Sequence, residues 1–401
     1  MLSSRSLLLV LTVWTVVAPA PSAQTALART RVVVLGVTHS AQLVAETQRP
    51  ALFRAFLDRV APNAVAVERD PQSFARNDLY DFTYEVQHLV LPWARERGVP
   101  VYPVDWLPPT EDQRLLFGTD LEVAPFVRPT EGYGAFYAFP DSSVLSLPLL
   151  YADTVAAERG PLGWADAPAE QASSDGARRL FLYRTFLQAR RVLRAAQNHP
   201  GGLLLLVVGD MHKPDIERVL AGYPQVEVVA PSSFGLPTDA DVAAEERVED
   251  VYAVATFNLL GVQPRMGVVD YGYLSRAVER LEQAATTPEI RLLRTRLGVL
   301  TGALPAGDAA ERYRRIREDV GPDAAFTWTG VKERGRLDSY FDPFGNLTVG
   351  QRAAVEQARE LYKLGRAGAA DAIEEELAAA LPGPKAVQLH AYWHEHVHET
   401  P

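Results

Sequence analysis

No cysteine occurs among the 401 residues. That absence excludes a disulfide framework, a thiolate nucleophile, a cysteine-type zinc site and an iron–sulfur cluster. Any metal chemistry must therefore use His, Asp and Glu. Positive charge is also in deficit: Lys and Arg total 40 against 50 Asp and Glu, for a net charge of −10. With no basic stripe to neutralise phosphates, nucleic acid is not an expected partner. Biased tracts are missing, charged residues make up 22% and hydrophobic residues 47%. Such a chain reads as globular rather than disordered, collagenous or multi-spanning.

Long apolar runs are nearly absent as well, and the one that stands out lies at the start. Arg5 precedes the run Leu7 to Val17, which is followed by Ala18-Pro19-Ala20-Pro21-Ser22-Ala23. A basic residue, a short apolar stretch and small residues predict a cleaved signal peptide over residues 1–23. The run is too short to cross roughly 30 Å of hydrocarbon comfortably. The expectation is an exported protein, periplasmic or secreted, with no stable membrane span after cleavage.

What is present is an alternation. Arg31 to Leu35 is a β-branched run ending at Gly36, and Ala51 to Val60 carries Leu52, Phe56 and Val60 at a helical spacing of four. Ala64 to Val67 reads as a second buried strand, Phe82 to Arg97 as a helix, and Val99 to Val104 as a third strand. After a helix over 176–198, Leu203 to Val208 is a strong buried strand. Helix Lys213–Ala221 and strand Val226–Ala230 follow. Strands separated by helices predict an α/β fold with a parallel-type sheet and flanking helices. Residues 106–175 interrupt the pattern with Pro, Gly and aromatics and suit a lid-like insertion. From residue 238 to 401 only helical patterns remain, so a helical C-terminal region follows the α/β domain of residues 24–237 and is a candidate surface for a protein partner.

Two strands end in the same way. Gly36-Val37-Thr38-His39 follows RVVVL, and Gly209-Asp210-Met211-His212 follows LLLLVV. Glycine at a strand end permits close approach, and ligands of parallel sheets gather at the carboxyl edge, where Glu68 and Asp105 also fall. Two imidazoles and Glu68 are a candidate donor set for a divalent metal such as manganese, cobalt or zinc. A metal of this kind lowers the pKa of bound water and polarises a carbonyl, as hydrolysis of an amide or ester requires. Without metal, the same residues are candidates for a general base and an electrostatic stabiliser.

The segments VVVLGVTHSAQL, AVAVERD and LLLLVVGDMHKPDIERVL, in that order, resemble the TraB/GumN and Tiki group of the erythromycin-esterase/ChaN-like superfamily. The resemblance covers about residues 31–230. It implies that His39, Glu68 and His212 are the shared site residues, that Asp70 is the second acid of a Glu-x-Asp pattern, and that Asp105 falls where relatives place another acid. It also implies a role for Arg184, which is followed by Thr185 where relatives carry Asn or Asp. In this reading Arg184 stabilises developing negative charge, and Asp105 orients a histidine or carries a proton.

The resemblance implies a metal-dependent hydrolase of peptide or small-molecule ester bonds. The alternative is a non-enzymatic haem-, iron- or partner-binding protein of the same superfamily. A second histidine group, His390, His394, His396 and His398, has spacings that would share a helix face, and reads as a solvated tail that picks up metal adventitiously.

Overall fold

The structure, a computed structural model, describes residues 28–117, 142–168, 175–321 and 323–398. The signal-peptide expectation for residues 1–23 lies outside these, as do residues 118–141 and 169–174 of the lid-like insertion.

Five strands form one parallel sheet: β1 Thr30–Val37, β2 Ala64–Val67, β3 Val101–Pro103, β4 Leu203–Gly209 and β5 Val226–Val229. Their order is β3-β2-β4-β1-β5. β1 and β4 lie side by side at the centre, with Gly36 opposite Val208 and Val37 opposite Gly209. The two Gly-x-x-His segments therefore leave the same edge from neighbouring strands, and β2, which ends at Val67, borders β4 on its other side.

Alternation within the strands divides the core in two, because successive side chains point to opposite faces. Val33, Leu35, Val65, Leu205 and Val207 join helix α1 (Pro50–Val60) through Phe53, Phe56 and Leu57. Val32, Val34, Leu204, Leu206 and Val208 face helices α2 (Gly176–Gln197) and α3 (Lys213–Ala221). Both sheet faces are thus covered by helices, which is why the central strands read as unbroken apolar runs.

Residues 239–398 are helical where they are regular. The continuous helical pattern of Asp239 to Leu260 forms two helices, Asp239–Ala244 and α4 (Val248–Leu260), with extended Arg247 between them. The break is stabilised by Arg54, whose Nη2 donates to the Glu245 carbonyl at 2.7 Å. Ala253, Val254 and Phe257 of α4 belong to the same apolar cluster as β1. The helical region therefore covers one face of the sheet. It continues through α5 (Tyr271–Ala284), α6 (Pro288–Leu300), α7 (Ala306–Asp319), α8 (Val349–Lys363), α9 (Ala367–Ala380) and α10 (Gly383–Trp393). Among the described residues no helix is long and apolar enough to cross a membrane.

Candidate functional site at the carboxyl edge of the sheet

The two motif histidines meet at one carboxylate. His39 Nε2 stands 3.5 Å from Glu68 Oε2, and His212 Nε2 stands 3.6 Å from Glu68 Oε1. Glu68 follows β2 directly and is buried, as is His212, while 21% of the His39 side chain is exposed. His39 is therefore the member of the trio that faces solvent.

Each ring is fixed from behind. His39 Nδ1 lies 2.7 Å from Glu85 Oε1, and the other oxygen of Glu85 accepts the Ser40 backbone N–H at 3.1 Å. Glu85 comes from a π-helical turn, Glu85–Val90, a local widening of the kind that often serves functional sites. Ser40 adopts a left-handed backbone with φ of 58°, held by that bond and by its hydroxyl donating to the Phe82 carbonyl at 2.8 Å. On the other side the Thr185 hydroxyl donates to the Phe181 carbonyl at 2.9 Å, so its oxygen is free to accept from His212 Nδ1 at 2.6 Å. In the neutral ring this assigns the proton to Nδ1 and leaves the Nε2 lone pair facing Glu68. Phe181 also stacks on His212, with ring centres 4.3 Å apart.

Glu68 is held in turn by Arg184 Nη2 at 2.8 Å and by the Gly209 backbone N–H at 2.7 Å. Burial pushes its carboxyl pKa up, but the protonated His39 and the Arg184 guanidinium act against this, and it is held well below the usual carboxylate range. For His39, burial works against the charged form. The Glu85 and Glu68 carboxylates reverse that and hold its pKa up to about 10. The resting trio is thus an ion-paired cluster around an ionised Glu68, with an imidazolium at its exposed edge.

Both motif glycines are explained by close approach. A Cβ on Gly209 would lie 3.1 Å from His39 Nε2 and 3.4 Å from Glu68 Oε2. On Gly36 it would lie 3.0 Å from Ala152 Cβ and 3.1 Å from Asp210 Cα. The two motif loops are also fastened by one side chain of the insertion: the Tyr151 hydroxyl donates to Asp210 Oδ2 at 2.5 Å and lies 2.6 Å from Thr38 Oγ1.

Asp105 is fully buried and orients Arg184 rather than a histidine. It accepts from Arg184 Nε and Nη2 at 2.8 and 2.6 Å, from the Tyr80 hydroxyl at 2.7 Å and from Gln188 at 2.8 Å. Arg184 therefore spends Nε and Nη2 on Asp105 and Glu68. Asp70 caps the short helix Pro71–Ala75 by accepting from Ser73 N–H at 2.9 Å, a structural task.

The C-terminal histidines do not form a second centre. His390 pairs with Glu374 at 2.8 Å, and the His394 and His398 rings pack 5.2 Å apart. His396 is buried, and its carbonyl accepts two bonds from Arg359. His396 is thus part of the fold and not of a solvated tail. Among the described residues no group of three His, Asp or Glu side chains is gathered ready for a metal ion.

Sequence reasoning missed Glu85, the bond made by Thr185, and Tyr151. Glu85 alone carried a signal: it stands four residues before the buried Leu89, at a core-facing position where a carboxylate needs a partner. No protein-family model matches this chain, and neither does any curated protein or solved structure.

Proposed function

We propose that the protein is a hydrolase of peptide or ester bonds acting at the carboxyl edge of its sheet. It would be an exported relative of the TraB/GumN and Tiki group, with the fold of the erythromycin-esterase/ChaN-like superfamily. One observation carries the reading: two imidazole Nε2 atoms face opposite oxygens of a single buried carboxylate, and each Nδ1 is tied off by another side chain. That is how imidazoles are held where a ring nitrogen has work to do.

By donor type, although the three are not gathered around one point in this structure, His39, His212 and Glu68 are the groups that would hold a divalent cation such as manganese, cobalt or zinc. Bound there, such an ion would activate water and polarise the scissile carbonyl. The chain's own contribution is orientation. Glu85 and Thr185 direct the two Nε2 atoms inward, and Arg184 keeps Glu68 ionised. Because His39 is held protonated, metal uptake must expel its proton, so affinity rises with pH.

A second, metal-free reading is favoured by that same proton. The His39 imidazolium, at the exposed rim, would protonate the leaving nitrogen or oxygen. His212 Nε2 would accept a proton from the attacking water.

The test is hydrolysis of a peptide and ester panel by the full chain, by His39→Ala and by His212→Ala, with bound metal measured in each and chelator added to the wild type. Loss of about a hundredfold or more in both variants is expected. Loss of activity on chelation selects the metal reading, and retention selects the acid–base reading. Equal turnover in all three proteins overturns both.

A further inference from the structure

Away from the sheet edge, a cavity of about 240 Å³ lies in the seam between the α/β half and the helical half. Its walls come from the segment leading into α1 and from α4 and α5. Most of the charges around it cancel in pairs. Arg276 pairs with Glu46, Arg280 with Glu246 at 2.5 Å, and Arg247 with Glu96 at 3.0 Å. Asp250 is neutralised by Arg54 and also accepts the Tyr84 hydroxyl at 2.8 Å.

Arg49 is the exception. Among the described residues this half-buried guanidinium has no carboxylate partner, and its one side-chain hydrogen bond is a long one, 3.3 Å from Nη1 to the Glu46 carbonyl. The Tyr273 hydroxyl also lines the cavity and makes no side-chain hydrogen bond among the described residues, although burial raises the pKa of its phenol. The remaining wall is apolar: Pro50, Ala51, Val251, Val254 and Ala277. The seam thus presents one uncompensated cation and one unused donor beside an apolar surface.

We propose that this cavity binds a small monocarboxylate with an apolar body. The planar guanidinium of Arg49 would take the carboxylate in a forked bond and Tyr273 would donate to it, while the apolar wall covers the carbon chain. Charge decides the class of ligand. With the other lining charges paired, one positive charge is left, enough for a monoanion and too little for a phosphate dianion beside Glu46, Glu246 and Asp250. The site contains none of the residues placed in the hydrolytic cluster, so it stands or falls independently of that reading.

The experiment is calorimetric titration of the full chain with hexanoate, hexanamide and inorganic phosphate. Hexanoate is expected to bind saturably at one site, with the amide and phosphate about tenfold weaker or more. Arg49→Gln should weaken hexanoate about tenfold, and Tyr273→Phe about two- to fivefold. Tyr273→Phe removes a hydroxyl that makes no side-chain bond among the described residues, so it decides the matter if Arg49→Gln does not fold. Hexanoate binding no better than hexanamide or phosphate, or binding unchanged by these substitutions, overturns the proposal.

Discussion

In the α/β half, Arg184 lies buried between Glu68 and Asp105. In the helical half, Arg352 grips Asp342 and Glu356, Arg359 grips Glu356 at 2.8 Å, and Arg296 stands 3.4 Å from the same carboxylate. The two clusters use the same charges and are buried to the same degree, yet only in the first do imidazole nitrogens face the central carboxylate; in the second, His396 meets Arg359 through its carbonyl oxygen. Around Glu356 the neighbours are guanidinium groups that never lose their protons at ordinary pH. Around Glu68 they include two imidazole rings, one of them partly open to solvent. A buried ion network by itself marks a place where the chain is pinned. It becomes a candidate for chemistry when a group able to exchange protons sits at its exposed edge.

The largest effect that could break this contrast is on stability. Glu356→Leu leaves the buried arginines around it short of an anion and is expected to cost about 3–5 kcal/mol by denaturant titration. A loss below about 1 kcal/mol would mean that the helical cluster does not pin the fold.

Next in size is the dependence of stability on pH, in which His39 and Glu356 should contribute opposite limbs. The pKa of His39 is raised from 6.5 to about 10, so its contribution is complete below about 6.5 and lost as pH climbs towards 10. For Glu356, burial raises the carboxyl and Arg296, Arg359 and Arg352 bring it down to about 2. Its contribution is complete above about 4.5 and disappears as pH falls towards 2. Melting curves across pH should lose the alkaline limb in His39→Gln and keep the acid one. An unchanged alkaline limb would refute the ion-paired description of His39.

A third expectation separates function from fold. Near pH 10, where the raised pKa of His39 no longer contributes to stability, His39→Gln should lower turnover about a hundredfold while melting close to the wild type. The smallest effect belongs to Thr185. Thr185→Val removes the acceptor for His212 Nδ1 and should lower activity about tenfold with little change in melting temperature. Thr185→Asn restores an acceptor and should recover part of the loss. Identical rates in the two variants would show that Thr185 does not orient the ring.

The sheet could be read from the chain because β1 and β4 are unbroken apolar runs ending in glycine, and a strand buried on both faces has no other sequence form. The trio His39, Glu68 and His212 was accessible for the same reason, each lying just beyond a strand end. Glu85 was so only in part: its core-facing position calls for a partner, but it reaches His39 from a π-helical turn, and nothing local in the sequence announces that widening. The docking of α4 onto the sheet was equally hidden, since an apolar helix face does not say which surface it will cover. Helix α10 follows Pro382-Gly383-Pro384, residues that signal a turn as readily as a helix start. Proline in the first turn is in fact a favourable helix start, and Pro384 occupies that place.

Gly209 sits with φ of −51°, a conformation any residue adopts, so no backbone demand requires glycine there. The space beside His39 Nε2 and Glu68 Oε2 is too tight for even a methyl group without a shift, since a Cβ would lie 3.1 Å from the nitrogen. Gly209→Ala would press a methyl group against both atoms, so this glycine is what keeps the chain's own bulk off the His39–Glu68 pair.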